Sequence, residues 1–381
     1  MAGMPTIDAR LLAGFVLPML QQLASQRSEG GARLPLLALN GPVGAGKSSL
    51  GLVLEALAPT FGLRLMVASI DDLYLPWPER QRRLAGNPFG VSRVPPGSHD
   101  LELLLAALSS WRQSGILRLP RFDKTLAHGQ GDRSGWRQGA CDALVLEGWL
   151  LGCQALGMEG LATALGAIDL THPGPDGAPA LKPIELDWLT TWDRLLEAYG
   201  PLWQACDGLW VLRPRSWSQP RRWRFQAEAR QRRLGGGWLP AADLERLVRS
   251  SLCSLPPLLY QDPLLAGWQE AGGVTSAAET LPNWSVWSTN SQEVGEQAAA
   301  WPHVLADQPL LSCQTPTKAK ASDAAEPRQS EPLTARPSAP AREGLVLQGL
   351  AVLDGRRRCL ISQHRQCWTQ DSLSVSSSLI G

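Results

Sequence analysis

Residues 41–48, GPVGAGKS, fit the pattern G-x-x-x-x-G-K-[ST], which is typical of loops that bind nucleotide phosphates. The pattern follows the apolar run at 36–40 and precedes a helical pattern that continues through Leu57. Its glycines let backbone N–H groups converge on an anion, and the following helix adds the positive end of its dipole. We predict that Lys47 reaches the β- and γ-phosphates of ATP and that the Ser48 hydroxyl binds Mg²⁺. The predicted nucleotide-binding residues are Gly41, Gly44, Ala45, Gly46, Lys47, Ser48 and Ser49.

An acidic residue, Glu147, directly follows the apolar run at 143–146. The carboxyl ends of parallel strands meet at the edge of the sheet that carries a phosphate loop, where a carboxylate can hold metal-bound water. We therefore predict that Glu147 joins Ser48 in the Mg²⁺ site and acts in catalysis. An ordinary carboxylate that faces solvent at a strand end is the alternative.

Two aspartates, Asp71 and Asp72, follow a second predicted strand at 64–70 and should emerge at the same edge of the sheet. Adjacent side chains of an extended chain point to opposite sides, so only one of the two should face the acceptor. We predict that Asp71 takes or orients the proton of the acceptor's hydroxyl. The alternative is that these aspartates cap the next helical turn.

Two short segments supply further polar groups. In GSHDL, His99 is either a ligand or a core histidine, and Asp100 either contacts a ligand or caps the helical run that starts at Leu101. In PRFDK, Arg121 and Lys124 lie three residues apart and could hold an anionic acceptor or the transferring phosphoryl group. A solvated loop is the alternative for PRFDK.

Residues 213–233 contain eight arginines and one acid, Glu228. Arginines on a lid that closes over ATP would neutralise charge that develops in the transition state. The neighbouring Trp217, Trp223 and Phe225 also suit a nucleic-acid patch, and a solvated helix face is the third interpretation. We favour the lid, because Lys47 already indicates phosphoryl transfer.

The elements that must position these groups alternate between strands and helices. Apolar runs at 36–40, 143–146 and 208–212 are typical of strands buried on both faces, and helical patterns lie between them. The sequence predicts an α/β fold of the P-loop NTPase type, with a parallel sheet and helices on both faces.

Beyond about residue 280 the chain becomes polar, with scattered Pro and Ala. Residues 314–344 cannot bury enough apolar surface to offset chain entropy, and 345–353 could form one strand or one helix. We predict a phosphotransferase domain over 1–280 and a disordered tail over 281–381. Within the domain we expect an N-terminal helix at 8–25 and a core at 34–265.

Composition limits the class of protein. The 381 residues carry 36 Lys and Arg against 35 Asp and Glu, so the chain as a whole does not favour a nucleic-acid partner. The apolar run near the N-terminus is too short to span a membrane and lacks a signal-peptide pattern. Seven cysteines without a C-x-x-C pair are typical of reduced thiols. We expect a cytoplasmic monomer without a membrane or nucleic-acid partner.

Several motifs, in this order, resemble those of the D-glycerate 3-kinase family of plants, fungi and cyanobacteria. They are SIDDLYL, GNPFGVSRVPPGSHDL, PRFDK, GDR, EGWLLG and WRFQAE, and the resemblance covers about residues 36–265. The Ser-x-Asp-Asp segment is shared with uridine, pantothenate and phosphoribulose kinases. The combination of EGWLLG and GSHDL occurs in a much narrower group of proteins. The resemblance implies phosphorylation of D-glycerate to 3-phosphoglycerate with ATP and Mg²⁺, a step of photorespiratory glycolate salvage.

The resemblance also implies roles for individual residues. Asp71 would be the base, Glu147 would lie at the metal, and Arg224 would belong to a lid that contacts the nucleotide. The implied catalytic residues are Lys47, Asp71, Arg121, Lys124 and Glu147. The implied substrate-binding residues are Asp72, Tyr74, His99, Asp100 and Arg121.

The chain departs from the family pattern in two places. Phe122 and HGQGDR stand where family members read PRYDK and GRGDR, and we expect little change because the GDR core at 131–133 is kept. Family members also close with a strand that carries Asp-x-x-Arg, and no such strand directly follows Gly267, so we expect altered stability and adenine contacts. The alternative functions are another small-molecule kinase, for a nucleoside or pantothenate, and a nucleotide-dependent switch ATPase.

Overall fold

The computed structural model describes residues 7–30, 33–235, 238–265 and 345–364. Within these ranges the strands are β1 (Leu36–Asn40), β2 (Leu65–Ser69), β3 (Ile116–Asp123), β4 (Asp132–Ala140), β5 (Ala143–Gly148), β6 (Gly208–Pro214), β7 (Leu347–Leu353) and β8 (Cys359–His364). The helices are α1 (Ala9–Leu11), α2 (Leu17–Gly30), α3 (Lys47–Leu57), α4 (Trp77–Arg83), α5 (Leu101–Ser114), α6 (Gly157–Ala167), α7 (Pro183–Asp187), α8 (Leu189–Glu197), α9 (Gly200–Ala205), α10 (Gln219–Arg233), α11 (Ala241–Cys253) and α12 (Pro257–Tyr260).

The main sheet has the order β2-β5-β1-β6-β7-β8, and all neighbouring strands are parallel except β7 and β8. Every residue of β1, β5 and β6 is buried, as expected of central parallel strands covered on both faces. Leu36 and Ala38 of β1 belong to one core, whereas Leu37 and Leu39 belong to another on the opposite face. The predicted α/β fold with helices on both faces is confirmed.

The two faces are covered by helices from different parts of the chain. Leu104 of α5 and Leu202 of α9 pack on one face, and Phe15 and Leu54 pack on the other. Phe15 lies in a π-helical turn, Leu12–Val16, that joins α1 to α2, so helical residues run from Ala9 to Gly30 where a helix at 8–25 is predicted. None of the described helices is both long and apolar enough to cross a membrane.

The prediction of a disordered tail over 281–381 is wrong for residues 345–364. There, β7 pairs in parallel with β6, and β8 returns antiparallel to β7. The side chains of Leu347, Leu350 and Leu353 are buried, because β7 is an almost wholly apolar strand inside a parallel sheet. The rest of the predicted tail lies outside the described residues.

A strand followed by an Asp-x-x-Arg sequence is present, and it lies far along the chain. The turn after β7 reads Asp354-Gly355-Arg356-Arg357, which matches the Asp-x-x-Arg pattern that was expected closer to Gly267. A long polar stretch separates this strand from α12, so its apolar run gives no local indication that it pairs with β6.

A second, two-stranded sheet forms beside the main one. Strands β3 and β4 pair antiparallel, with an irregularity between Pro120 and Phe122 that shifts the register. The short helical turn Ile70–Leu73, which follows β2, contacts β3. This hairpin therefore lies against the carboxyl end of β2, next to the phosphate loop.

Candidate active site

The phosphate loop joins β1 to α3 with two glycines in the left-handed region, Gly44 at φ 79° and Gly46 at φ 96°. Lys47 is the first residue of α3, and its Nζ donates to the carbonyl oxygens of Gly41 and Pro42 at 2.7 and 3.2 Å. Burial lowers the pKa of Lys47, although nearby carboxylates, Glu147 foremost, oppose this effect. The loop thus surrounds a fixed cation, as phosphate binding requires.

Glu147 lies beside the start of α3. The register of β1 and β5 places it opposite Leu39, its carboxylate accepts from the Ser48 hydroxyl at 2.9 Å, and its other oxygen lies 3.8 Å from Lys47 Nζ. Glu147 is only 5% exposed, so it does not face solvent. A hydroxyl and a carboxylate oxygen this close are donors that suit Mg²⁺, which takes few protein ligands and completes its shell with phosphate oxygens and water.

Two further elements contact the phosphate loop from outside. A Cβ atom at Gly44 would lie 2.7 Å from the backbone nitrogen of Arg224 in α10, so only glycine allows this approach. Arg357, in the turn between β7 and β8, donates to the carbonyl oxygens of Gly44 at 2.9 Å and Trp223 at 3.0 Å. Arg224 lines the cavity next to the loop and pairs with Glu228 at 2.9 Å. Helix α10 therefore lies where the sequence predicts a lid.

Asp71 lies in the helical turn after β2. Ser69 caps this turn by accepting from the Asp71 backbone nitrogen at 3.3 Å, which leaves the Asp71 carboxylate free for other contacts. The Tyr74 hydroxyl donates to one Asp71 oxygen at 2.9 Å, and Lys124 Nζ lies 3.3 Å from the other. Burial favours the neutral acid, but Lys124, together with His99, the Tyr74 hydrogen bond and Lys47, outweighs it and lowers the pKa of Asp71 to about 2.

Asp72 differs in its electrostatics. Burial, together with the negative charge of Asp71, raises the pKa of Asp72 to about 6. Both aspartates line the cavity. Two neighbouring carboxylates therefore reach the site in different states, one firmly ionised and one close to titration at neutral pH.

His99 and Asp100 do not line this cavity. His99 is buried and stacks on Tyr74 with ring centroids 4.6 Å apart, while its Nδ1 lies 2.7 Å from the Tyr199 hydroxyl. Burial lowers the pKa of His99 to about 4, so the ring is neutral at pH 7. Asp100 caps α5 through the Leu103 backbone nitrogen and also pairs with Arg133 at 2.7 Å. Both residues support the wall of the cavity from behind.

Arg121 also lies outside the cavity. It falls at the irregularity in β3, and its side chain is exposed, whereas the neighbouring Phe122 and Lys124 line the cavity. The geometry does not support the predicted catalytic and substrate-binding roles of Arg121.

The cavity has a volume of about 870 Å³ and brings the phosphate loop together with the two aspartates. Of the predicted site residues, Gly44, Gly46, Lys47, Ser48, Ser49, Asp71, Asp72, Tyr74, Lys124, Glu147 and Arg224 line it. Sequence reasoning assigned no role to several other lining residues: Glu55, Arg93, Arg137, Trp149 and Arg357. Arg93 lies within the GNPFGVSRVPPGSHDL motif, and Arg357 ends the Asp-x-x-Arg segment, so both had a signal that could have identified them.

Comparison with known proteins gives two curated relatives. The chain is 29% identical over 245 residues to the chloroplastic D-glycerate 3-kinase of Arabidopsis thaliana, an alignment that covers 60% of this chain and 49% of the plant protein. It is 26% identical over 204 residues to the uncharacterized kinase mug58 of Schizosaccharomyces pombe, which covers 51% of this chain and 69% of that protein. The chain spans about half the length of the Arabidopsis relative. No family model matches the chain.

Two solved structures share the fold along most of their length. D-glycerate 3-kinase from Cryptococcus neoformans var. grubii superposes with a TM-score of 0.61 at 20% identity, covering 94% of this chain and 99% of that one. The YGR205w protein superposes with a TM-score of 0.56 at 17% identity, covering 93% and 98%. The resemblance to the D-glycerate 3-kinase family is confirmed by the sequence relative, and these structures confirm the fold.

Proposed function

We propose that this chain, a relative of the D-glycerate 3-kinases, transfers the γ-phosphoryl group of ATP to a hydroxyl of D-glycerate and forms 3-phosphoglycerate. In a phototroph this reaction would serve photorespiratory glycolate salvage. The observation that carries the proposal is that one cavity contains both Lys47 and Ser48 of the phosphate loop and Asp71 with its tyrosine and lysine partners. The groups proposed to bind the nucleotide and those proposed to bind the acceptor therefore line the same cavity.

The phosphate side positions the nucleotide. Backbone N–H groups of the loop and the Lys47 ammonium would hold the β- and γ-phosphates. Ser48 and Glu147, whose oxygens lie 2.9 Å apart, would hold Mg²⁺. An ion held by these two residues would neutralise charge on the phosphates. Arg224 and Arg357 bring two more cations to this side.

On the acceptor side, Asp71 would orient the hydroxyl that attacks. A carboxylate whose pKa is about 2 is a weak base, but phosphoryl transfer passes through a loose transition state in which positioning contributes more than proton abstraction. Asp71 accepts the hydroxyl's hydrogen bond, and Lys124 and Tyr74 fix its orientation. As the bond between the acceptor oxygen and the γ-phosphorus forms, the bond to the leaving ADP would break, and the hydroxyl proton would pass by way of Asp71 to solvent.

The test is product detection by phosphorus NMR after incubation of the purified chain with ATP, Mg²⁺ and D-glycerate. Parallel samples contain L-glycerate, uridine, pantothenate or no acceptor. We expect a 3-phosphoglycerate signal with D-glycerate only.

Transfer to uridine or pantothenate instead would support kinase activity but refute D-glycerate as the acceptor. Equal ADP release in all samples, including the one without acceptor, would refute phosphoryl transfer and favour a switch ATPase.

A further inference from the structure

A buried arginine, Arg93, lines the cavity with part of its guanidinium group unpaired. Its residue is 4% exposed, and its Nη1 atom has no hydrogen-bond partner among the described residues. Other cations that line the cavity have partners close by: Lys124 pairs with Asp71, Arg137 with Glu55, and Arg224 with Glu228. A buried guanidinium nitrogen that lacks a partner is costly, so an anion bound beside Arg93 Nη1 would be stabilised there.

The backbone next to Arg93 is held in an unfavourable conformation. Val94 has a φ of 87°, a region that β-branched residues rarely adopt. Two side chains fix it: the Tyr74 hydroxyl accepts from the Val94 nitrogen at 3.2 Å, and the Trp149 indole donates to the Val94 carbonyl oxygen at 3.1 Å. Strain that is held in this way is typical of functional sites. Here it fixes the segment that carries Arg93.

The same tyrosine connects Arg93 to the predicted acceptor site. The Tyr74 hydroxyl donates to Asp71 Oδ1 at 2.9 Å while it accepts from the Val94 nitrogen. Asp71 also contributes to the electrostatic environment of Arg93. A cation for an anionic group and a carboxylate for a hydroxyl therefore lie on the same side of the cavity, and the Tyr74 hydroxyl links Asp71 to the backbone of the residue that follows Arg93.

Gly131 in the GDR motif makes room for this arrangement. A Cβ atom at Gly131 would lie 2.3 Å from the Phe122 ring and 3.2 Å from Arg93 Nη1. Any larger residue would displace the Phe122 ring or the guanidinium. The glycine thus allows both side chains to reach the cavity.

We propose that Arg93 binds the carboxylate of the acceptor, while Asp71 holds the hydroxyl that receives the phosphoryl group. A planar guanidinium pairs with a carboxylate through two parallel hydrogen bonds, which a lysine cannot form. The site then selects short hydroxy acids over uncharged polyols. This inference rests on the proposed function, because it assigns the binding group for that acceptor.

The test compares the wild type with R93M, R93K and R82M in steady-state kinetics. Arg82 is exposed on α4 and provides a matched control. The acceptors are D-glycerate and its neutral amide, glyceramide. We expect R93M to raise the KM for D-glycerate roughly 10- to 100-fold and to abolish the preference over glyceramide, while the KM for ATP stays within about twofold. R93K should be intermediate, and R82M should match the wild type.

A second measurement, calorimetric titration of D-glycerate in the presence of ADP, reports binding without turnover. Equal losses with both acceptors, or a rise in the KM for ATP with acceptor preference unchanged, would overturn the assignment of Arg93. If the wild type turns over D-glycerate and R93M has the same KM and the same preference over glyceramide, this inference is refuted and the proposed function is left intact. A wild type that neither binds nor phosphorylates D-glycerate would refute both.

Discussion

The two walls of the cavity hold their charged groups in different ways. The phosphate wall is formed by residues 41–48, Glu147 and Arg357, and its cations are held by main-chain carbonyl oxygens. Lys47 donates to the carbonyl oxygen of Gly41, and Arg357 donates to that of Gly44. The acceptor wall, formed by Asp71, Tyr74, Arg93 and Lys124, fixes its groups mainly through other side chains.

This difference separates general from specific recognition. A loop that binds phosphates through its backbone N–H groups fits any nucleoside triphosphate, and a short, contiguous sequence motif is enough to form it. The acceptor wall depends on side chains that come from distant segments, including Trp149 behind Val94 and Tyr199 behind His99. Substitutions in the phosphate wall should therefore change the binding of the nucleotide, and substitutions in the acceptor wall should change the binding of the acceptor.

The largest effect is expected from K47A, which removes the cation of the phosphate wall. Phosphoryl transfer should fall at least about 100-fold with every acceptor, because in the proposed mechanism Lys47 positions the phosphates and stabilises charge in the transition state. Phosphorus NMR of the product measures this loss. K182A serves as the control, because Lys182 is exposed and lies directly before α7, outside the cavity lining. Near-normal transfer by K47A would refute the role of the phosphate wall in binding and positioning ATP.

D71N tests the acceptor wall. The amide can still accept from Tyr74, so the structure should persist, while the weaker hold on the acceptor hydroxyl should lower kcat roughly 10- to 100-fold. Nucleotide affinity, measured by calorimetry with ADP, should stay close to that of the wild type. Equal losses of kcat and of nucleotide affinity would instead identify Asp71 as a structural residue of the turn.

R357M tests whether the turn between β7 and β8 belongs to the phosphate wall. Without its bonds to Gly44 and Trp223, the loop should be held less firmly, and the KM for ATP should rise about tenfold with the KM for the acceptor unchanged. Arg356 is exposed in the same turn, so R356M is a matched control. A selective rise in the KM for the acceptor would contradict the division into two walls.

The smallest effect is expected from D72N, and it concerns stability. Because the folded state raises the pKa of Asp72 from 3.8 to about 6, the wild type should lose stability relative to D72N as the pH rises from 4 to 6. At pH 7 the variant should be more stable by roughly 1 to 2 kcal/mol. Urea unfolding at pH 4 and pH 7 measures the difference, and a difference independent of pH would show that Asp72 is not shifted in this way.

Sequence reasoning succeeded where neighbouring residues determine the structure. The apolar run at 36–40 and the loop motif at 41–48 lie side by side in the chain, and the structure has β1 and α3 at these places. Glu147 could be placed because the carboxyl ends of parallel strands meet at one edge. Lys47, Ser48 and Glu147 accordingly meet in the cavity.

It failed where distant contacts decide. Arg121 is not among the residues that line the cavity, and it lies at an irregularity in β3 that no local pattern indicates. His99 and Asp100 are supporting residues whose partners, Tyr199 and Arg133, lie elsewhere in the chain. Strand β7 could be recognised only through β6, its partner in the sheet.

The contact between Gly44 and Arg357 joins residues 313 positions apart in the chain. Closing so long a segment costs chain entropy before any native contact offsets it, so contacts of this kind form late in folding. During synthesis the phosphate loop emerges from the ribosome long before the arginine that braces it. A nascent chain can therefore form β1 and α3 early, yet the support of its nucleotide site is completed only after β7 has been made.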